Sequence, residues 1–247
     1  MQPRSHVTRA RDWLVLMNTP APDTRPLNNP VWESLNGAHA RVAIGTGMAK
    51  RYPREMSPFV AIADENEPQS WADLLELVGP GRPVSLSGRS VPAPDGWEVM
   101  FGGTGLQMTG VDVPGAPDPE AVPLTDDDVD AMVALVALTE PGPFAPRTID
   151  FGGYLGIWRD GQLAAMAGHR MHPPGWVEIS AVCTHPDFQR QGLSTRLVNA
   201  CVANIRAQGD LPFLHVRETN EGAISVYRRL GFVERRRARF EQLRTPN

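Results

Sequence analysis

The chain has 247 residues, with 24 Lys and Arg against 28 Asp and Glu for a formal net charge of −4. At about 150 residues per domain this length allows one large or two small domains with an ample core, and 23 Gly with 24 Pro stay below the roughly 25–30% that marks low complexity. The charge offers none of the phosphate-neutralising surface of a nucleic-acid binder, the two cysteines, Cys183 and Cys201, are too few for a disulfide framework, and no stretch approaches the roughly 20 apolar residues of a membrane span.

A short amphipathic helix is expected to end near Met17, before a Pro- and Asn-rich loop over 18–30. Its apolar run, Trp13 to Met17, is too short for a signal-peptide core, so the expectation is a soluble, cytoplasmic protein without nucleic-acid or membrane partners. Pro58 to Ala63 reads as a buried strand, and Ser70 with Asp73 predicts a capped helix over Trp71 to Val78, stopped by Gly79-Pro80-Gly81. Strands are expected at Val84 to Leu86 and Trp97 to Phe101. Pro114, Gly115, Pro117 and Pro119 crowd the next loop, which makes 113–120 the expected linker between a first half, 1–112, and a second, 121–247.

In the second half Thr125 caps a helix whose first turn holds Asp126, Asp127 and Asp128, where carboxylates oppose the positive end of the peptide dipoles. An antiparallel meander follows: Tyr154 to Arg159, the turn Asp160-Gly161, Leu163 to Met171, the turn Pro173-Pro174-Gly175, and Trp176 to Thr184. Leu193, Leu197, Val198, Cys201, Val202 and Ile205 recur at helical spacing over Gly192 to Ala207, and Gly209 stops that helix. Leu211 to Val216 is the next strand, Glu221 to Leu230 a helix ending at Gly231, and Phe232 to Phe240 the last strand.

Chemistry concentrates at the junction Thr184-His185-Pro186-Asp187-Phe188-Gln189-Arg190-Gln191-Gly192-Leu193-Ser194. A strand that turns through Gly and a small residue into a helix presents free backbone N–H groups at the helix's positive end, an arrangement that holds phosphate. Gly192 lets the main chain approach an anion, Ser194 is small enough not to block it, and Arg190 and Arg196 offer counter-charge. An ordinary strand-to-helix loop is the alternative reading of so short a motif.

The QxxGxS turn after the strand Val177 to Thr184, followed by Asn220, Ala223, Tyr227, Leu230, Gly231 and Phe232, resembles the GNAT superfamily of acyl-CoA-dependent N-acyltransferases. That family carries [QR]xxGx[GA] and then NxxAxxxYxxxGF; Ser194 is the one departure. The resemblance covers roughly 121–247. It implies an α/β (α+β) fold, a mixed and mostly antiparallel sheet with splayed fourth and fifth strands flanked by helices. PGPF at 141–144 and EISAVCTHPDFQRQGL at 178–193 resemble a bacterial subgroup in which a degenerate GNAT-like half precedes this domain; 18–112 fit that loosely.

The resemblance implies acetyl-CoA, or another short acyl-CoA, as co-substrate and no metal. Around Val182, Cys183 and Thr184 the main chain would bond the pantetheine and polarise the thioester carbonyl, while Gln189, Arg190, Gln191, Gly192, Leu193 and Ser194 would hold the pyrophosphate. Asn220 would hydrogen-bond the pantetheine or cap its own helix, Tyr227 would give a proton to the leaving thiolate, and Glu178 or its rival Glu218 would take one from the amine. The partner so implied is a primary amine on a small molecule or a protein terminus. A catalytically inactive acyl-CoA sensor or an interaction protein is the competing reading. Cys183 and His185 lie two apart and raise a nucleophile or metal-ligand reading, weakened by the lack of a third partner at ligand spacing. His169, His172 and His215 read as structural, with His169 and His172 also candidates to line the acceptor side, and Arg235-Arg236-Arg237-Ala238-Arg239 reads as a solvated run. The loop Thr139 to Phe144 is expected to take part in choosing the acceptor.

Overall fold

The computed structural model describes residues 21–247; the helix expected to end at Met17 lies outside them. Ten strands form one sheet: β1 (Ala49–Arg51), β2 (Phe59–Ile62), β3 (Pro83–Arg89), β4 (Glu98–Thr109), β5 (Val122–Pro123), β6 (Leu155–Arg159), β7 (Gln162–His169), β8 (Trp176–Thr184), β9 (Leu211–Arg217) and β10 (Val233–Arg244). Five α-helices flank it among the described residues: α1 (Pro30–Asn36), α2 (Pro68–Val78), α3 (Val129–Thr139), α4 (Leu193–Ala207) and α5 (Glu221–Leu230). None is long and apolar enough to cross a membrane.

The strand order is β1-β2-β3-β10-β4-β9-β8-β7-β6-β5. Only two neighbouring pairs are parallel, β2 with β3 and β8 with β9, and each needs a crossover, supplied by α2 and α4. The arrangement therefore repeats: an antiparallel strand, a parallel pair around a helix, then a strand that leaves its own half. β4 leaves the first half to pair with β9, and β10 leaves the second to pair with β3. The two then pair with each other along the centre of the sheet.

The expected linker at 113–120 accordingly divides neither the sheet nor the packing. Its Ala116 N–H donates to Asn199 O at 3.1 Å, and Arg206 Nε donates to Val113 O at 2.6 Å. The apolar stripe foreseen on α4 is buried with Val177, Ile179, Leu214, Leu106 and Met108, residues from both sides of that loop.

Two helix starts differ from expectation for local reasons. α2 begins at Pro68, where a missing N–H costs nothing in a first turn, and Ser70 lies inside it, its hydroxyl accepting from Asp64 N–H at 3.3 Å. Thr125 and Asp128 form the reciprocal capping box of a short 3-10 turn, Asp126–Asp128, and α3 follows from Val129. β4 runs on to Thr109, well past the expected Phe101, through Gly102, Gly103 and Gly105; β10 beside it likewise extends past Phe240 to Arg244.

Candidate functional site

The register of β8 with β9 runs from Trp176 opposite Leu211 to Ile179 opposite Leu214 and stops there, although β8 continues to Thr184 and β9 to Arg217. The two strands part from that point. On its other side β8 bulges: Gly168 faces Ser180 and Met166 faces Cys183, so Ala181 and Val182 together oppose Ala167. Ala181 has a φ of 53°, a left-handed conformation that costs a non-glycine residue about 1–2 kcal/mol. Such bulges re-aim backbone groups beside functional sites.

At the end of β8 the chain makes a 3-10 turn, Pro186–Phe188, and then enters α4 through left-handed residues at Arg190 (φ 63°) and Gly192 (φ 75°). Left-handed residues so close together turn successive N–H groups to one side and make an anion-binding concavity. The first turn of α4 adds its own N–H groups and carries no acidic residue. A Cβ on Gly192 would meet nothing within 4 Å, so the main chain there is open to a ligand. Gln189, Arg190 and Gln191 are exposed, Leu193 is buried as the anchor of the helix, and Ser194 is half-buried. Arg196 does not supply the expected counter-charge: Asp118 grips its guanidinium at 2.6 and 2.7 Å, and Glu120 accepts from it as well.

The equivalent turn of the first half, between β2 and α2, reads Ala63-Asp64-Glu65-Asn66-Glu67. It is acidic and has no glycine, and the Glu65 carboxylate itself takes the Ser90 N–H at 2.9 and 3.0 Å. That turn repels a diphosphate.

α5 follows β9, and its Ile224 and Tyr227 share a core with β8 and β9. Asn220 caps the helix, its Oδ1 accepting from Ala223 N–H at 3.1 Å. Tyr227 is buried with Phe232 edge-on at 6.0 Å, and burial pushes its phenol up to about 12. Cys183 is buried too, and burial pushes its thiol up to about 11, which leaves almost no thiolate at neutral pH. His185 does not face it: Nδ1 accepts from Asp187 N–H at 3.3 Å and Nε2 contacts the Gln162 amide at 2.8 Å. Among the described residues no group of three His, Cys, Asp or Glu side chains could hold a metal ion.

On the opposite face of the sheet from α5, Glu178 is fully buried. Arg170 binds it with Nε to Oε2 at 2.9 Å and Nη2 to Oε1 at 2.7 Å, and His215 Nδ1 lies 2.6 Å from Oε1. Burial opposes ionisation, but the Arg170 guanidinium and His215 outweigh it and hold the carboxyl well below the usual carboxylate range. A carboxylate so held accepts a proton poorly. Gln107 Nε2 lies 3.1 Å from His215 Nε2 and donates to Leu27 O at 2.8 Å, while Arg235 Nη1 donates to Gln107 Oε1 at 2.8 Å. Sequence reasoning missed Arg170 and Gln107 and read His215 as structural, without its link to Glu178. The available signal was a lone acid in the apolar strand Trp176 to Val182, which demands a buried cation, and Arg170 lies just across the tight turn.

Glu218, at the end of β9, is more open: its side chain is 37% exposed and pairs with Arg237 at 3.0 Å. The arginines of 235–239 are less solvated than expected, since Arg235 and Arg236 reach into the first half to bond Thr24 O, Asn28 and Gly88 O. His172 pairs with Asp210 at 2.9 Å, and His169 is buried.

The FR47-like protein family model matches residues 154–241. A solved structure from Novosphingobium aromaticivorans DSM 12444, assigned to the GNAT family as an acetyltransferase, is 37% identical, covers 90% of this chain and 99% of its own, and superposes with a TM-score of 0.82. A GCN5-related N-acetyltransferase from Kribbella flavida, at 16% identity, 88% and 95% coverage and a TM-score of 0.59, shares the fold. No curated protein matches the chain.

Proposed function

The chain belongs to the GNAT family, and from that premise we propose that it transfers an acetyl or short acyl group from the CoA thioester to a primary amine by direct attack. The observation that carries the reading is the open turn at Arg190 and Gly192, which follows the stretch of β8 that has left the β9 register. The N–H groups of Arg190 to Ser194 would hold the pyrophosphate, and the backbone of Val182 and Thr184, left without a β9 partner in the register, would bond the pantetheine. Acyl-CoA brings an activated carbonyl. A main-chain N–H near Val182 or Cys183, re-aimed by the bulge, would stabilise the negative charge that carbonyl gains as the amine attacks.

Tyr227 of α5 shares a core with Val177 and Ile179 of β8 and Leu214 and Val216 of β9, and a phenol held fully protonated by burial is suited to give its proton to a departing thiolate. Glu218, which water reaches, would take the proton from the amine, while Glu178 holds Arg170 and His215 in place. Replacing Tyr227 by Phe is expected to lower kcat by roughly 10²–10⁴-fold with the dissociation constant for CoA little changed. Thiol release from acetyl-CoA over a panel of amines tests the reading. CoA binding without thiol release on any amine would identify a sensor instead.

A further inference from the structure

Tyr154 is buried, and its hydroxyl has no hydrogen-bond partner among the described residues. Its ring lies directly over Gly168, where a Cβ would come within 2.3 Å of Cδ1; only glycine leaves room for it. Gly168 in turn faces Ser180, one residue past the last β8–β9 pair and next to the left-handed Ala181. Phe144, from the loop before β6, packs edge-on against the same ring at 5.8 Å. A donor buried without an acceptor is costly, and native proteins keep few of them. This one lies beside the point where the strands part.

We propose that the Tyr154 hydroxyl donates a hydrogen bond to the carbonyl oxygen of the acyl thioester, as a second donor alongside the main chain of the β8 bulge. The inference rests on the acyl-CoA reading above. Burial outweighs the opposing Arg170 guanidinium and, with the Glu178 carboxylate, keeps the phenol protonated, so it serves as a donor and keeps its proton throughout. A donor aimed at the amine would occupy the lone pair that must attack, whereas one aimed at the carbonyl assists the charge that develops there.

The test compares calorimetric affinities for acetyl-CoA and S-ethyl-CoA, a thioether that lacks only the carbonyl oxygen, in the wild-type protein and in Tyr154→Phe. The wild type is expected to prefer acetyl-CoA, and Tyr154→Phe to narrow that preference by about 3- to 10-fold, with S-ethyl-CoA affinity unchanged and a melting temperature no lower than wild type. An undiminished preference in the variant would overturn the proposal. So would a fall in melting temperature, because it would show that the hydroxyl already has a partner in the free protein. If neither ligand bound the wild type, the acyl-CoA reading would fail first and take this one with it.

Discussion

Glu178→Gln is expected to lower the melting temperature by about 6–20 °C, from a loss of about 3–5 kcal/mol at roughly 2–4 °C per kcal/mol for a chain of this size. The substitution keeps the shape of the side chain and removes only its charge. Arg170 would then be a cation without its carboxylate, in a site where Glu178 is 0% exposed and Arg170 12%. The same pair fixes a pH dependence. Because the folded-state pKa of Glu178 is depressed from 4.5, its contribution is present above about pH 4.5 and is lost as pH falls through the lower folded value. Wild type should thus lose stability over that acid range while Glu178→Gln does not lose this component. Glu218→Gln, at an exposed pair, should leave the melting temperature almost unchanged and slow turnover by roughly 10²-fold or more. Thermal melts from pH 3 to 7, set beside turnover, separate the two glutamates; an unshifted melt for Glu178→Gln would contradict the buried ion pair.

A fragment comprising 113–247 is expected not to fold, although it contains the phosphate turn, Tyr227 and both glutamates. Among the described residues β10 has β3 and β4 as its only neighbours, so in the fragment it would lose both partners. β9 would lose the β4 edge from Gly105 to Thr109, and the core under α4 would lose Leu106 and Met108. Gln107 would no longer reach His215. Exposed strand edges and a breached core favour aggregation. Circular dichroism and a thermal melt of the purified fragment check this; a cooperative transition would contradict the exchanged-strand sheet.

Much of the second half was legible because its signals are local. The helix Glu221 to Leu230 ends at Gly231 as foreseen, with φ 99° there, and the stripe on α4 is buried as spaced. Short-range patterns say nothing of which strands become neighbours across 100 residues, and so 113–120 read as a boundary when the sheet runs on past it. The long β4 was hidden by its glycines, which look like breakers in sequence yet lie in a strand paired on β10. At the site, the turn at Gly192 was legible because the backbone itself makes it. The fate of Glu178 was legible only in part: Arg170 lies just past β7, across the tight turn, but His215 comes from β9 and no local pattern pairs it with Glu178. The partners of Arg196 are hidden in the same way, its carboxylates lying at 118 and 120.

Catalysis in the proposed reaction depends on backbone N–H groups at the start of α4 holding the diphosphate of a CoA ester. Calorimetric titration of CoA into the wild-type protein and into Gly192→Asp tests it most directly. Aspartate tolerates the left-handed conformation better than most residues and a Cβ there meets nothing within 4 Å, so the fold should persist while a carboxylate confronts the phosphates. Saturable heat is expected for the wild type, with an affinity weakened by about 10- to 100-fold in the variant. No heat with the wild type, or equal affinity in a folded Gly192→Asp, would contradict it.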